Sequence, residues 1–178
     1  MEKLISLIQR GDTRIFYMIN GYVKCKMLDK IMPIITHLGS ATFTVGFSLL
    51  MIFLGRRSTP NWAWKIAFSL ALSHVFIHIL KRIINRPRPN KALLNVNTFN
   101  LELYSYSFPS GHTTAAFSLA TSVALIFPKL SLFLFLTAAL VGISRMYVGV
   151  HYPTDVFIGG VIGTVSAFYI DRLLFLIF

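Results

Sequence analysis

Charge in this 178-residue chain is confined largely to the ends of long apolar stretches, and that pattern limits the folds open to it. About 20 apolar residues, coiled as a helix, cross the hydrocarbon core of a bilayer. Ile31 to Leu54 is one such stretch, closed by Arg56 and Arg57. A second runs from Trp62 to Leu80, with Trp62 and Trp64 placed as interfacial anchors. His112 to Phe127 is stopped by Pro128 and Lys129, Leu130 to Ser144 follows at once, and Pro153 to Ile170 ends at Asp171 and Arg172. Lipid offers no partner to an exposed backbone amide, so such segments fold as helices. The expected fold is all-α: a polytopic transmembrane helix bundle of five to six spans, forming one membrane-embedded domain over residues 1–178.

The count depends on residues 1–30. Leu4, Ile5, Leu7 and Ile8, then Ile15, Phe16, Met18 and Ile19, flank a charged centre of Arg10, Asp12 and Arg14. That pattern suits an amphipathic helix lying on the membrane surface better than a sixth span. The helical core is then 31–178. The same charges interrupt the first apolar run too early for a cleaved secretion signal. Between Ile84 and Phe108 the chain turns polar and Asn-rich, and Pro87 and Pro89 block helix continuation. Gly159 and Gly163 form a small-xxx-small pair, expected to let two helices pack closely.

Only 13% of residues are charged, against roughly 25% in a soluble domain. The 17 basic residues outnumber the 6 acidic ones. Clustered at the ends of apolar runs, this excess suits anionic head groups and phosphate ligands, and no pattern of a nucleic-acid-binding module accompanies it. The one cysteine, Cys25, has no intrachain partner.

Three segments gather the chemistry. Lys81-Arg82-Ile83-Ile84-Asn85-Arg86-Pro87-Arg88-Pro89 ends one span, Pro109-Ser110-Gly111-His112 opens the next, and Ser144-Arg145 followed by His151 and Asp155 joins the last two. Counting spans puts all four helix ends on one side of the membrane. Lys81 supplies a point charge, and Arg88 and Arg145 planar forks, to the same phosphate oxygens. Ser110 is placed as a helix cap, and Gly111 lets an anion approach the amides and positive dipole end behind it. His151 and Asp155 are four residues apart across Pro153, so the carboxylate can hold one ring nitrogen protonated and leave the other nucleophilic. His112, opposite, can protonate a departing alkoxide.

These residues and spacings resemble the type 2 phosphatidic acid phosphatase superfamily. Its three-part signature, Lys-x6-Arg-Pro, Pro-Ser-Gly-His and Ser-Arg-x5-His-x3-Asp, runs without a gap through Lys81 to Pro89, Pro109 to His112, and Ser144 to Asp155. The resemblance implies that His151 attacks phosphorus to form a phosphohistidine, that Asp155 orients it, and that His112 protonates the leaving group. Lys81, Arg88, Ser110, Gly111 and Arg145 then bind the phosphoryl oxygens. It also implies a reaction without metal or other cofactor. Of the six acidic residues, only Glu102 and Asp155 are expected near the site, too few for a two-metal centre.

The implied substrate is a lipid phosphate: phosphatidylglycerol phosphate first, then undecaprenyl pyrophosphate or phosphatidic acid. A non-catalytic phospholipid binder or anion transporter would need the cations but not the paired histidines. Arg82 and Arg86 occupy no signature position and are read as a basic flank touching lipid phosphates. His74 and His78, four apart, are read as a polar stripe leading to Lys81 rather than metal ligands. Tyr104, Tyr106 and Phe108 are read as an interfacial aromatic belt in preference to a lid. The resemblance implies a bacterial plasma membrane with the site facing away from the cytoplasm, whereas the basic residues before Ile31 point it inward by the positive-inside rule.

Overall fold

The computed structural model describes residues 2–55, 61–99 and 106–177. Arg56, Arg57, Glu102 and Tyr104 lie outside the described residues, as does the backbone between Asn100 and Ser105. Among the described residues all regular structure is helical: α1 (Glu2–Tyr17), α2 (Lys26–Thr36), α3 (Ala41–Gly55), α4 (Asn61–Ile84), α5 (Pro89–Ala92), α6 (Gly111–Ile126), α7 (Ser131–Tyr147) and α8 (Pro153–Ile177). A π-helical turn, Met18–Tyr22, extends α1, and 3-10 turns occupy His37–Gly39 and Pro128–Leu130.

Central in the bundle, α6 packs against α4, α7 and α8. Its buried residues are small or hydroxylated: Thr113, Thr114, Ala115, Ala116, Ser118, Ala120, Thr121, Ser122 and Ala124. The outward faces of α7 and α8 carry Leu132, Phe133, Leu136, Phe157, Val165 and Phe168, all exposed. Small residues inside and bulky apolar residues outside are what lipid as solvent favours, because lipid-facing Leu and Phe lose nothing there while close helix approach gains dispersion contacts. The Gly159–Gly163 pair does what its spacing predicts. A Cβ on Gly159 would stand 2.8 Å from the Ser110 carbonyl, and one on Gly163 would run into the carbonyl of Thr114.

Among the described residues, three segments are long and apolar enough to cross a membrane, Trp62–Ala92, Pro128–Tyr147 and Pro153–Leu176, and a fourth if the bent pair Lys26–Gly39 and Ala41–Leu54 counts as one. The stretch from Ile31 to Leu54 is therefore not the single straight span expected. It bends by 48° at the break, where Gly39 lets the 3-10 turn press on α6: a Cβ there would lie 2.6 Å from the His112 carbonyl. At 16 residues, α6 falls short of the length a span needs. By length and composition α1 is not a span either. It buries Asp12 and Phe16 and exposes Leu7, Ile8 and Ile15.

Candidate active site

The ends of α4 and α7 and the starts of α6 and α8 converge, joined by backbone bonds. The Ser110 amide donates to the Asp155 carbonyl at 3.0 Å, and the Ser107 amide to that of Arg86 at 2.9 Å. Each local conformation has a sequence cause. Pro153 at the first position of α8 has no N–H to lose. The carboxylate of Asp155, two residues on, reaches back to accept from the Tyr152 amide at 2.9 Å, which is one half of a capping box. Ser110 caps α6, its Oγ accepting from the Thr113 amide at 3.4 Å and pairing with Thr113 Oγ1 at 2.8 Å.

His151 sits in the short loop before α8, 2% exposed. Its Nε2 lies 3.2 Å from Arg88 Nη1, which also donates to the Val150 carbonyl at 3.0 Å. A guanidinium can only donate, so this contact leaves Nε2 as the unprotonated nitrogen and puts the ring proton on Nδ1. Nδ1 lies 3.5 Å from Asp155 Oδ2 and has no hydrogen-bond partner among the described residues. Such pairs often tighten only when substrate binds. Burial drives the His151 imidazole well below the ordinary histidine range, and Arg88, Arg145 and Lys81 push the same way, against a backbone hydrogen bond involving Ser107. The ring is held neutral with its lone pair turned toward the cations.

Arg145 is buried; its Nη1 donates to Thr36 Oγ1 at 2.6 Å, and Nε has no hydrogen-bond partner among the described residues. Lys81, half-buried at the end of α4, donates to the Tyr106 carbonyl at 2.6 Å. His112 is within electrostatic reach of Arg145, His151, Arg88 and His37. A Cβ added at Gly111 would meet nothing within 4 Å, so the backbone there stands open to a ligand. All eight predicted site residues thus lie around one buried, strongly cationic end of the bundle. That arrangement can hold a tetrahedral anion in front of a neutral, pre-oriented imidazole.

Two sequence readings need correction. Arg86 is not a free lipid-facing cation: Nη1 donates to Asp155 Oδ1 at 2.8 Å and Thr154 Oγ1 at 2.7 Å, and Nη2 to Asp12 Oδ2 at 2.6 Å. Its guanidinium also stacks 3.9 Å over the Tyr152 ring. Nor is Asp155 the only described acid near the site, because Asp12 of α1 is tied to it through Arg86. Thr36 and Asn20 were missed as well. Asn20, 1% exposed, donates to the carbonyls of Asn97 and Tyr147 at 2.9 and 2.8 Å and accepts from the Asn97 amide at 2.9 Å. One signal was available for Asp12: an acid set between the apolar patches of an amphipathic helix, in a chain of 17 basic and 6 acidic residues, needs a partner before it can be buried. His74 and His78 have ring centroids 5.8 Å apart, and among the described residues no three potential ligands cluster around a metal position.

Known proteins share both sequence and geometry. Phosphatidylglycerophosphatase B of Bacillus subtilis is 31% identical over 164 residues, covering 80% of this chain and 73% of that protein. Lipid A 1-phosphatase of Rhizobium etli is 28% identical over 71% of this chain, and the match spans 62% of that relative's length. The crystal structure of Aquifex aeolicus LpxE superposes with a TM-score of 0.80 at 31% identity, covering 90% of this chain and 94% of that one. Residues 62–176 match the PAP2 superfamily, and with the signature residues gathered at one site the chain belongs to that superfamily.

Proposed function

We propose that this chain is an integral membrane phosphatase that removes a terminal phosphate from a lipid through a phosphohistidine intermediate. The observation that carries this reading is the orientation of His151, with Nε2 against Arg88 and Nδ1 against Asp155. In the first step Nε2 attacks phosphorus, the bond from phosphorus to the lipid oxygen breaks, and its electron pair leaves on that oxygen, which takes a proton from His112. Water then attacks the phosphohistidine, His112 takes up its proton, and phosphate departs. Lys81, Arg88 and Arg145, with the start of α6 at Ser110 and Gly111, spread the charge developing on the phosphoryl oxygens. The Ser110 hydroxyl already bonds Thr113, so Ser110 contributes chiefly by shaping that turn. None of these steps draws on a metal or another cofactor.

A phospholipid binder or anion transporter would need the cations alone; the paired, oppositely oriented imidazole nitrogens favour the enzyme. Phosphatidylglycerol phosphate is the preferred substrate, followed by undecaprenyl pyrophosphate and phosphatidic acid. The likeness to a lipid A 1-phosphatase adds lipid A 1-phosphate to the set. In this reading α3, α4, α6, α7 and α8 make five crossings, with the bilayer thinned around the 15 residues of α3 and the 16 of α6; α1 and α2 lie on the active-site surface, and that surface faces away from the cytoplasm of a bacterial plasma membrane. Labelling of a cysteine introduced in the 91–99 segment by an impermeant thiol reagent, after removal of exposed Cys25, tests the orientation.

Phosphate release by the purified protein across these lipids tests the function. His151→Ala is expected to abolish release while substrate binding persists. A variant that hydrolyses lipid phosphate as fast as the parent would refute the mechanism.

A further inference from the structure

Asp155 does not meet His151 alone; it is the end of a chain of alternating charge, buried at both carboxylates and partly exposed at Arg86, that begins on the interfacial helix. Asp12, 3% exposed, places Oδ1 2.9 Å from the Thr154 amide and Oδ2 2.5 Å from Thr154 Oγ1. The Thr154 amide is the second of α8 and would ordinarily be capped by the side chain preceding the helix. That residue is Tyr152, whose ring instead lies under Arg86. Asp12 therefore caps α8 from another helix, with its charge at the positive end of the α8 dipole. Arg86 then clamps Asp12 to Asp155 through its two terminal nitrogens. Asp155 Oδ1 is taken by Arg86, which leaves Oδ2 for the Tyr152 amide and His151 Nδ1.

We propose that Asp12 and Arg86 are positioning residues for the Asp155–His151 pair, which makes the surface helix α1 part of the working site. Neither residue belongs to the three-part signature, and the proposal rests on the phosphatase reading. The electrostatics give it a signed consequence. Arg86 favours the ionised form of the Asp155 carboxylate and Asp12 holds Arg86 against it, so Asp155 keeps the charge it needs when phosphorylation turns the imidazole cationic. Removing Asp12 makes the Asp12–Arg86–Asp155 chain beside His151 less negative, and removing Arg86 makes it more negative. The other groups facing His151 are Arg88 after α4, Arg145 on α7, Lys81 on α4 and His112 on α6. All four stay in place in either variant.

The test uses the full chain in mixed micelles with short-chain phosphatidic acid as probe, reading kcat, KM and the acidic limb of kcat/KM. Asp12→Asn is expected to lower kcat by about 10- to 100-fold, the range seen when outer-shell partners of metal-bound histidines are removed, with KM nearly unchanged. Its acidic limb moves to lower pH. Arg86→Gln lowers kcat similarly but moves the limb to higher pH, and the double variant returns the limb toward the parent. Opposite limb shifts are something a merely structural role does not produce. If both singles fold and keep the parent's kcat and limb, or if both limbs move the same way, the proposal fails alone. A parent that releases no phosphate from any lipid in the panel sinks the phosphatase reading, and this one with it. Should Asp12→Asn not fold, the direction of the Arg86→Gln limb decides the matter.

Discussion

Asn20→Ala should loosen the nucleophile without touching it. Asn20 lies in the π-helical turn after α1 and ties Asn97 to the end of α7, immediately before the loop that carries His151. Alanine removes two donations through Nδ2 and one acceptance through Oδ1. The Asn97 amide and carbonyl, which are part-buried, and the buried Tyr147 carbonyl lose those partners. At about 1 kcal/mol for each net hydrogen bond, the loss is about 3 kcal/mol. For a chain of this length that corresponds to a fall in Tm of about 6–12 °C. Thermal unfolding in detergent, followed by intrinsic fluorescence, reads it directly. Asn20→Asp is the stricter comparison: it keeps the shape and one acceptor but replaces both donations with a buried charge, so its Tm should fall at least as far. Phosphate release should fall in both variants at temperatures where both remain folded. A Tm within about 2 °C of the parent in both would be less than the smallest loss, about 3 °C, that three such hydrogen bonds entail, and would refute this account of the loop.

Two further outcomes follow from the site and its packing. The depressed His151 value means that the nucleophile is already neutral at the ordinary histidine value of about 6.5. The acidic limb of kcat/KM should therefore lie below that pH, on one side of a bell-shaped profile, and a flat rate from about pH 5 to 9 would count against two histidines in separate roles. Stability carries the matching sign: the His151 contribution is complete above about pH 6.5 and is lost as pH falls toward the depressed folded value, because the unfolded chain takes a proton that the folded one refuses. Gly163→Ala forces a methyl into the α6 backbone and should cost about 1–3 kcal/mol. Gly46→Ala, where a Cβ meets nothing within 4 Å, should leave Tm unchanged or raise it slightly, since alanine is the better helix former; equal effects from the two would contradict the packing described for α6 and α8.

What could be read without coordinates was whatever depended on short sequence separation or on counting crossings. The alternation of apolar runs and charge placed the ends of α4 and α7 beside the starts of α6 and α8. The four-residue spacing of His151 and Asp155 is a property of a single loop and helix start. Residues that meet across long separations left weaker traces. Asp12 and Thr154 are hydrogen-bonded 142 positions apart, and Thr36 and Arg145 109 apart, so no local period links them. Arg86 was misread because an arginine at the edge of an apolar run usually touches lipid phosphates, and only the fold brings two carboxylates to it. The break at His37–Gly39 left a local trace in Thr36, His37, Gly39 and Ser40, but hydropathy averaged over Ile31 to Leu54 does not register a bend.

Thr36 has a consequence for where this protein could be cut. Arg145 belongs to the segment that matches the superfamily, but the hydroxyl it donates to sits 26 positions before that segment begins. Excising residues 62–176 as a minimal unit would strand a guanidinium in the interior, so the smallest autonomous fragment is longer than the region by which its kin are recognised.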